Sequence, residues 1–305
     1  MADKKGITHP SPLPKAVKSM GQNFLVNRDI CRSIVDAAGF DAGDTILELG
    51  PGLGAITFEL AGRVSRVVAV ELDARMFSYL EAKAQAEKIT NVTLVSGNML
   101  HLCFEKLAKD MGVERLRIIG NLPYNISSPM LFHMVDAGDY IDQAVVMLQK
   151  EVADRLIARP GCKDYGILSV IFQYSAEMEQ LLQVAPCMFR PAPKVMSSVI
   201  KIRFRPPVRR VSDFHLFVRL VRAVFQQRRK TLANSLRAFL GAESSGRRGL
   251  SQQRSIEALE CLNSCGIRPE RRPEELTVEE FVGLADVIAA HALPLHENSI
   301  FVEVS

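Results

Sequence analysis

The stretch DTILELGPGLGAITFELAGR, residues 44–63, decides how this chain is read. Residues 44–50 make a short apolar run closed by a turn signal, the mark of a buried strand. From Ala55 onward the spacing is helical. Between the two lie Gly50, Gly52 and Gly54. Glycine reaches backbone angles closed to other residues, and it lets a ligand approach the main chain without meeting a β-carbon. A strand that passes through such a turn into a helix is a building block of an α/β sheet, whose ligands sit beyond the carboxyl ends of the strands. The turn alone does not name the ligand, since many nucleotide-binding sheets carry one.

The pattern repeats outward. RVVAVEL (66–72), NVTLVSGN (91–98), RLRIIGN (115–121) and QAVVMLQK (143–150) are further strand candidates, and ARMFSYLEAKAQAEK (74–88) is helical. Strands alternating with helices of this length predict a parallel sheet with helices on both faces. After about residue 207 the pattern changes. Residues 213–240 are periodic at helical spacing, and ESSGRRGLSQQ (243–253) is polar and flexible. Thr277 and Glu280 stand at capping-box spacing ahead of a final apolar run. The expected organisation is an α/β domain over 1–207, with 1–19 as a flexible lead, and a smaller α-helical domain over 208–305.

Composition narrows the class. With 305 residues and 48% apolar content the chain can bury a sizeable core. No apolar stretch approaches the roughly 20 residues of a membrane helix, and the start has no apolar segment of the signal-peptide kind. The expectation is a soluble cytoplasmic protein. The cysteines (Cys31, Cys103, Cys162, Cys187, Cys261, Cys265) have no disulfide-like framework, and CLNSC at 261–265 lacks the partners of a zinc site. They are read as buried reduced thiols, with no metal expected. The net charge of +4 says less than its placement. Arg203, Arg205, Arg209, Arg210, Arg219, Arg222, Arg228, Arg229, Lys230 and Arg237 concentrate in the second half, as on a polyanion-binding face.

The chemistry sits at the strand ends. Glu71 closes the second strand, where an acid accepts hydrogen bonds from both hydroxyls of a ribose; Asp73 is the neighbouring alternative. Glu48 precedes the glycines where many dinucleotide sites carry an apolar residue. This E-x-G-x-G-x-G arrangement resembles motif I of class I S-adenosylmethionine-dependent methyltransferases, whose cofactor has a cationic methionyl end and no pyrophosphate for the acid to repel. Asn98 ends the third strand, where methyltransferases of this type usually carry Asp to accept from the adenine amino group, and an amide oxygen accepts from the same N–H more weakly.

Asn121-Leu122-Pro123-Tyr124 follows the fourth strand. An exocyclic adenine nitrogen is a poor nucleophile because its lone pair is delocalised into the ring. It needs orientation and charge stabilisation more than a strong base. The Asn121 side-chain oxygen and the Leu122 carbonyl suit its two hydrogens, Pro123 stiffens the turn, and Tyr124 offers a face on which a base stacks. The quartet resembles motif IV of amino-directed adenine methyltransferases. Phe189, in CMFRPAPKVMSSVIKI (187–202), is expected to close on the other face of the base, with Lys194 near a phosphate.

Taken together, GQNFL (21–25), ELGPGLGAIT (48–57), Glu71, GNLPYNISSP (120–129), LQKEVADRL (148–156), YGILSV (165–170), FRPAPKV (189–195) and FQQRRKTLANSL (225–236) resemble the KsgA-type small-subunit ribosomal RNA adenine dimethyltransferases over nearly the whole chain. The resemblance implies a Rossmann-like class I methyltransferase domain using S-adenosylmethionine. It implies that Gln22, Asn23 and Leu25 enclose the cofactor and that Gly50, Glu71, Asn98 and Asn121 contact it, beside Glu48 and Gly52 of the glycine turn. The implied reaction is N6,N6-dimethylation of two adjacent adenosines in a hairpin loop near the 3′ end of small-subunit rRNA, on an immature small subunit. The basic second domain then grips RNA backbone, with Arg222, Arg228, Arg229 and Lys230 as candidates. Erm-type large-subunit rRNA methyltransferases share the fold and the NLPY-like turn, but LQKEVADRL, YGILSV and QQRRKTLANSL favour the small-subunit reading. A non-catalytic RNA-binding assembly or transcription factor would not need Glu48, Asn121 and Tyr124 together.

Overall fold

The structure, a computed structural model, describes residues 13–17, 20–243 and 251–291. The chain divides into two compact units, Met1–Ile157 with Ser175–Pro206, and Ala158–Tyr174 with Pro207–Ser305. The expected change near residue 207 coincides with the last of the boundaries between the units, but residues 158–174, assigned by sequence to the first domain, belong to the second unit. The expected flexible lead over 1–19 and the polar stretch 243–253 lie largely outside the described residues. Gln252 and Gln253, from the end of that stretch, are helical.

In the first unit the elements run β1 (Phe24–Leu25), α1 (Arg28–Ala38), β2 (Thr45–Leu49), α2 (Ala55–Ala61), β3 (Arg66–Glu71), α3 (Ala74–Ala86), β4 (Val92–Ser96), α4 (Phe104–Met111), β5 (Leu116–Asn121), α5 (Ser127–Asp136), β6 (Ile141–Gln149) and α6 (Lys150–Ile157). After α7 (Ile167–Ser175) the sheet resumes with β7 (Ala176–Val184), β8 (Phe189–Arg190) and β9 (Ser197–Phe204). The main sheet has the order β4-β3-β2-β5-β6-β9-β7. From β4 to β6 every pairing is parallel, and Val67 to Val70 are nearly solvent-free, as expected of strands covered on both faces.

The expectation of an all-parallel sheet needs correction at one edge. β9 runs antiparallel to both β6 and β7. No strand was foreseen over β7, because it is an edge strand whose Glu177, Glu179 and Gln183 face solvent, so its sequence lacks a continuous apolar run. A separate ribbon pairs β1 with β8 antiparallel, Leu25 opposite Phe189.

Caps explain where the helices begin. Asn27 accepts from the Ile30 N–H (2.9 Å) at α1, and Gly39 ends that helix in the left-handed region. In the second unit α8 (Phe214–Gln226) is capped by Asp213, which accepts from the Leu216 N–H at 2.9 Å. It buries Leu216, Phe217, Leu220, Val221 and Val224, the stripe that its spacing predicts. The periodic run 213–240 is not one helix. It breaks after Gln226 and resumes as α9 (Leu232–Glu243), with the Leu232 N–H taken by the Arg271 carbonyl at 2.7 Å. Arg228, Arg229 and Lys230 therefore occupy a turn. α10 (Ser251–Ser264) and α11 (Val278–His291) follow. The capping box before α11 is present, Thr277 N–H to Glu280 at 2.8 Å and Glu280 N–H to the Thr277 hydroxyl at 3.2 Å.

All six cysteines are free, but the expectation that they are buried holds only in part. Cys31 and Cys261 are buried, whereas Cys103, Cys162 and Cys187 are exposed.

The β2–β5 contact sets the spacing of the two functional turns. A β-carbon on Gly120 would stand 2.7 Å from the Leu49 carbonyl oxygen, and both strands are held by the ladder. Gly120→Ala should destabilise the fold by about 1–3 kcal/mol, as overpacking against backbone does. Urea unfolding measures this, and a variant as stable as the parent would show that the strands can part there.

Candidate functional site

A cavity of about 280 Å³ opens beyond the carboxyl ends of β2, β3, β4 and β5. Its lining includes Gln22, Asn23, Leu25, Glu48, Gly50, Gly52, Glu71, Asn98, Asn121, Leu122 and Tyr124. The sheet order brings the glycine turn, the acid at the end of β3 and the NLPY turn to one edge.

The glycine turn is shaped by its acid. Gly50 and Gly52 have φ of 69° and 56°, in the left-handed region where a β-carbon is strained. Glu71 holds this turn: its Oε2 accepts from the Gly52 N–H at 3.0 Å and its Oε1 from the Asp73 N–H at 2.9 Å. Burial pushes the Glu71 carboxyl above its ordinary value, and the two N–H bonds oppose that rise. Asp73, the alternative ribose ligand, is not among the lining residues. It caps α3 and pairs with Arg75, which holds its carboxyl down at about 2.

Glu48 is buried at 2% exposure, and its Oε2 has no hydrogen-bond partner. Desolvation pushes its carboxyl up to about 8, and the nearby charge of Glu71 adds to the rise. A buried acid with an unused oxygen on a cavity wall is a place made for a ligand cation.

The N-terminal segment closes the cavity. Gln22 accepts from the Val17 N–H at 2.9 Å and donates to Asp73 at 3.1 Å, so it ties this segment to the start of α3. Asn23 contributes its backbone carbonyl, which accepts from Asn121 Nδ2 at 2.9 Å. A carbonyl only accepts, so this bond settles which way the Asn121 amide faces: Oδ1 is left as the acceptor. The Leu122 N–H is bonded to the Met147 carbonyl at 3.2 Å, and the Pro123 carbonyl accepts from the Ser127 hydroxyl at 3.0 Å. The Tyr124 hydroxyl meets Ser197 Oγ at 2.7 Å.

Asn98 lines the cavity, with Oδ1 accepting from the Leu100 N–H at 3.0 Å as the cap of a short 3₁₀ turn, Met99–His101. Its amide is thus both cap and wall.

Phe189 departs from expectation. It is 2% exposed, pairs with Leu25 and packs among Leu25, Ile34, Val145 and Val199 in the core. It is absent from the cavity lining, where the phenylalanine present is Phe24. The proline-stiffened loop follows Phe189, and the phenylalanine itself anchors the β1–β8 ribbon. Lys194 is exposed on that loop.

Leu72 was not foreseen. It lines the cavity while 54% exposed, and its place straight after a strand-end acid is the signal that the sequence offers. Met99, Asn125 and Ile126 were likewise missed, since they enter the wall only through turns.

In the second unit, Gly161, Cys162, Lys163, Arg228, Arg229, Arg272 and Glu274 line a second cavity. Arg228 is partly engaged there, 3.4 Å from both Glu274 and the Cys162 carbonyl. Arg229, Lys230 and Arg222 are exposed. Elsewhere the basic run is partly neutralised, Arg205 by Glu177 within the first unit and Arg209 by Asp286 within the second.

A family model described as ribosomal RNA adenine dimethylase matches residues 14–267. Ribosomal RNA small subunit methyltransferase A of Moorella thermoacetica is 43% identical over 275 residues, 88% of this chain and 91% of that protein. The protein of the same name from Bacillus cereus is 38% identical over 90% of this chain and 92% of its own length. Among solved structures, a dimethyladenosine transferase from Plasmodium falciparum gives a TM-score of 0.71 at 24% identity, covering 86% of this chain and 95% of that one. The 23S rRNA methyltransferase ErmE gives 0.61 at 24% identity, covering 88% of this chain and 100% of that one. These two likenesses establish the Rossmann-like class I methyltransferase fold.

Glu48 makes the cofactor-free protein pH-sensitive. An unfolded chain releases this proton near the ordinary value of 4.5, while the folded one holds it to about 8. Between those values the folded state binds more protons, so this contribution is complete at acid pH and fades as pH rises through about 8. Glu48→Gln should therefore melt progressively higher relative to the parent as pH goes from 5 to 8.5. A constant offset by calorimetry across that range would overturn the assignment.

Proposed function

Because this chain belongs to the ribosomal RNA adenine dimethylase family, an rRNA adenine methyltransferase whose reaction is fixed in outline, we propose the finer reading as follows. The methyl donor is S-adenosylmethionine, and the targets are N6 of two adjacent adenosines in the 3′-terminal hairpin loop of small-subunit rRNA. The substrate is an immature small subunit in the cytoplasm. The carrying observation is the fixed amide of Asn121, which leaves an acceptor oxygen at the lip of the cavity.

Three features support the donor. The left-handed glycine turn admits a ligand against the main chain. Glu71 keeps lone pairs for ribose hydroxyls beyond the two N–H groups it already accepts. Glu48 offers a buried carboxylate oxygen to the cationic methionyl end. When bound, this donor supplies an electrophilic methyl group on a sulfonium.

The chain's own residues act on the amine. Asn121 Oδ1 and the Leu122 carbonyl accept its two hydrogens and turn the nitrogen lone pair out of conjugation. As positive charge grows on nitrogen, these fixed dipoles stabilise it without having to reorganise. Tyr124 carries the base on its ring. With Phe189 in the core, the second face of the base is not closed by that ring.

The small-subunit assignment is supported by the curated relatives, which carry that name at 38–43% identity. The basic wall of the second unit serves RNA backbone. Arg229 and Lys230, exposed in the α8–α9 turn, are better phosphate ligands than Arg228, which Glu274 already occupies.

Undermethylated small subunits incubated with labelled donor, then mapped by mass spectrometry, test the reading. Dimethyladenosine in the 3′ hairpin is expected, and modification of large-subunit rRNA alone would overturn it. Asn121→Ala should lower kcat by about 100-fold or more, the usual scale for losing one preorganised polar group, with subunit binding intact. Arg229→Ala with Lys230→Ala should flatten the salt dependence of subunit binding by about 1.4–1.8 in log–log slope, and an unchanged slope would make the pair a solvated face.

A further inference from the structure

The backbone of the NLPY turn is fixed by several bonds, but these leave the Tyr124 ring to find its own angle. The Leu122 N–H is held by Met147, and the Pro123 carbonyl accepts from both the Ile126 N–H and the Ser127 hydroxyl. The ring is fixed by something else. Its hydroxyl shares a 2.7 Å hydrogen bond with Ser197 Oγ, from a residue 73 positions later.

Ser197 is an unusually rigid anchor. It is fully buried and opens β9, with Gln149 of β6 opposite it on one side and Val184 of β7 on the other. A strand held on both sides cannot drift, so Oγ is a fixed point. A serine in a buried strand position is disfavoured unless its hydroxyl is bonded. Ser198 supplies the contrast: it is equally buried, yet its Oγ has no hydrogen-bond partner. Of two adjacent serines, only Ser197 reaches the site.

We propose that Ser197 is a positioning residue for the methyl-accepting base: by holding the Tyr124 hydroxyl, it sets the plane of the ring on which the adenine lies. This rests on the reading that Tyr124 stacks the target base. A phenylalanine would offer the same stacking face, and the hydroxyl adds the anchor. The angle matters because an amine with a delocalised lone pair reacts only when its nitrogen is turned correctly, and small misplacements of a reacting group lower rates steeply. With Phe189 in the core, that ring does not correct a tilt of Tyr124. The same platform also receives the base before and after its first methyl, so its angle is set by the protein and not by the substrate.

The test is a double-mutant cycle with undermethylated small subunits and S-adenosylmethionine. Ser197→Ala and Tyr124→Phe should each lower kcat about 3- to 10-fold, the range of one hydrogen bond, and the double variant should be no slower than either. Donor affinity by calorimetry and subunit affinity should stay at the parent value, and Ser197→Thr should restore most of the loss. Ser198→Ala should leave kcat unchanged. Additive losses in the double variant, or a Ser197→Ala that weakens donor binding along with kcat, would overturn the positioning role. The underlying reading fails separately: Tyr124→Ala with near-parent turnover would mean that the ring carries no base at all.

Discussion

The hydrogen bond from Asn121 Nδ2 to the Asn23 carbonyl, 2.9 Å long, is the constraint on which the site depends. It performs two tasks with one contact. It decides the orientation of the amide, because a carbonyl partner leaves the amide oxygen no choice but to face the other way. It also fastens the N-terminal segment over the cavity that this oxygen serves. Remove the bond and the amide is free to turn over, presenting N–H groups to an amine that has hydrogens of its own. The acceptor role of this turn is thus built by main-chain geometry from a distant part of the chain.

The acids of the cavity are organised by a similar economy. Glu71 is saturated enough by the Gly52 and Asp73 N–H groups to be fixed in place, yet it retains acceptor capacity. Glu48 has been left short of partners and lies against the same cavity. The first acid shapes the glycine turn; the second stores an unmet electrostatic need. Asp73, two positions after Glu71 and also a carboxylate, is committed to Arg75 and the start of α3, so identity of side chain alone assigns no role.

Much of this was legible in the sequence because it is local. The strands from β2 to β6, the glycine turn, the strand-end Glu71 and the NLPY quartet announce themselves through period, apolar runs and turn chemistry. What was misread depends on partners remote in the chain. Phe189 was placed on the substrate because it precedes a proline-stiffened loop, whereas its pairing with Leu25 turns it into the core. β7 escaped notice because an edge strand is only half covered. The break between α8 and α9 is invisible to periodicity, since both sides keep the same apolar stripe and the Arg271 carbonyl that takes the Leu232 N–H lies far along the chain. Residues 158–174 carry no mark of belonging to the second unit, because membership is decided by packing.

The short ribbon of β1 and β8 has a consequence for the order of events at the ribosome that makes this chain. Phe24 and Leu25 emerge early, but the strand that receives them, Phe189–Arg190, is translated some 160 residues later. Until then the rim that carries Asn23 has no ladder to rest on, whatever the state of the sheet beneath it. A nascent chain can assemble β2 to β5 and hold Gln22 and Asn23 through Asp73 and Asn121 while this ribbon is still missing. The rim of the cavity is thereby completed in two stages, first by side-chain bonds to early residues and only later by the β1–β8 ribbon.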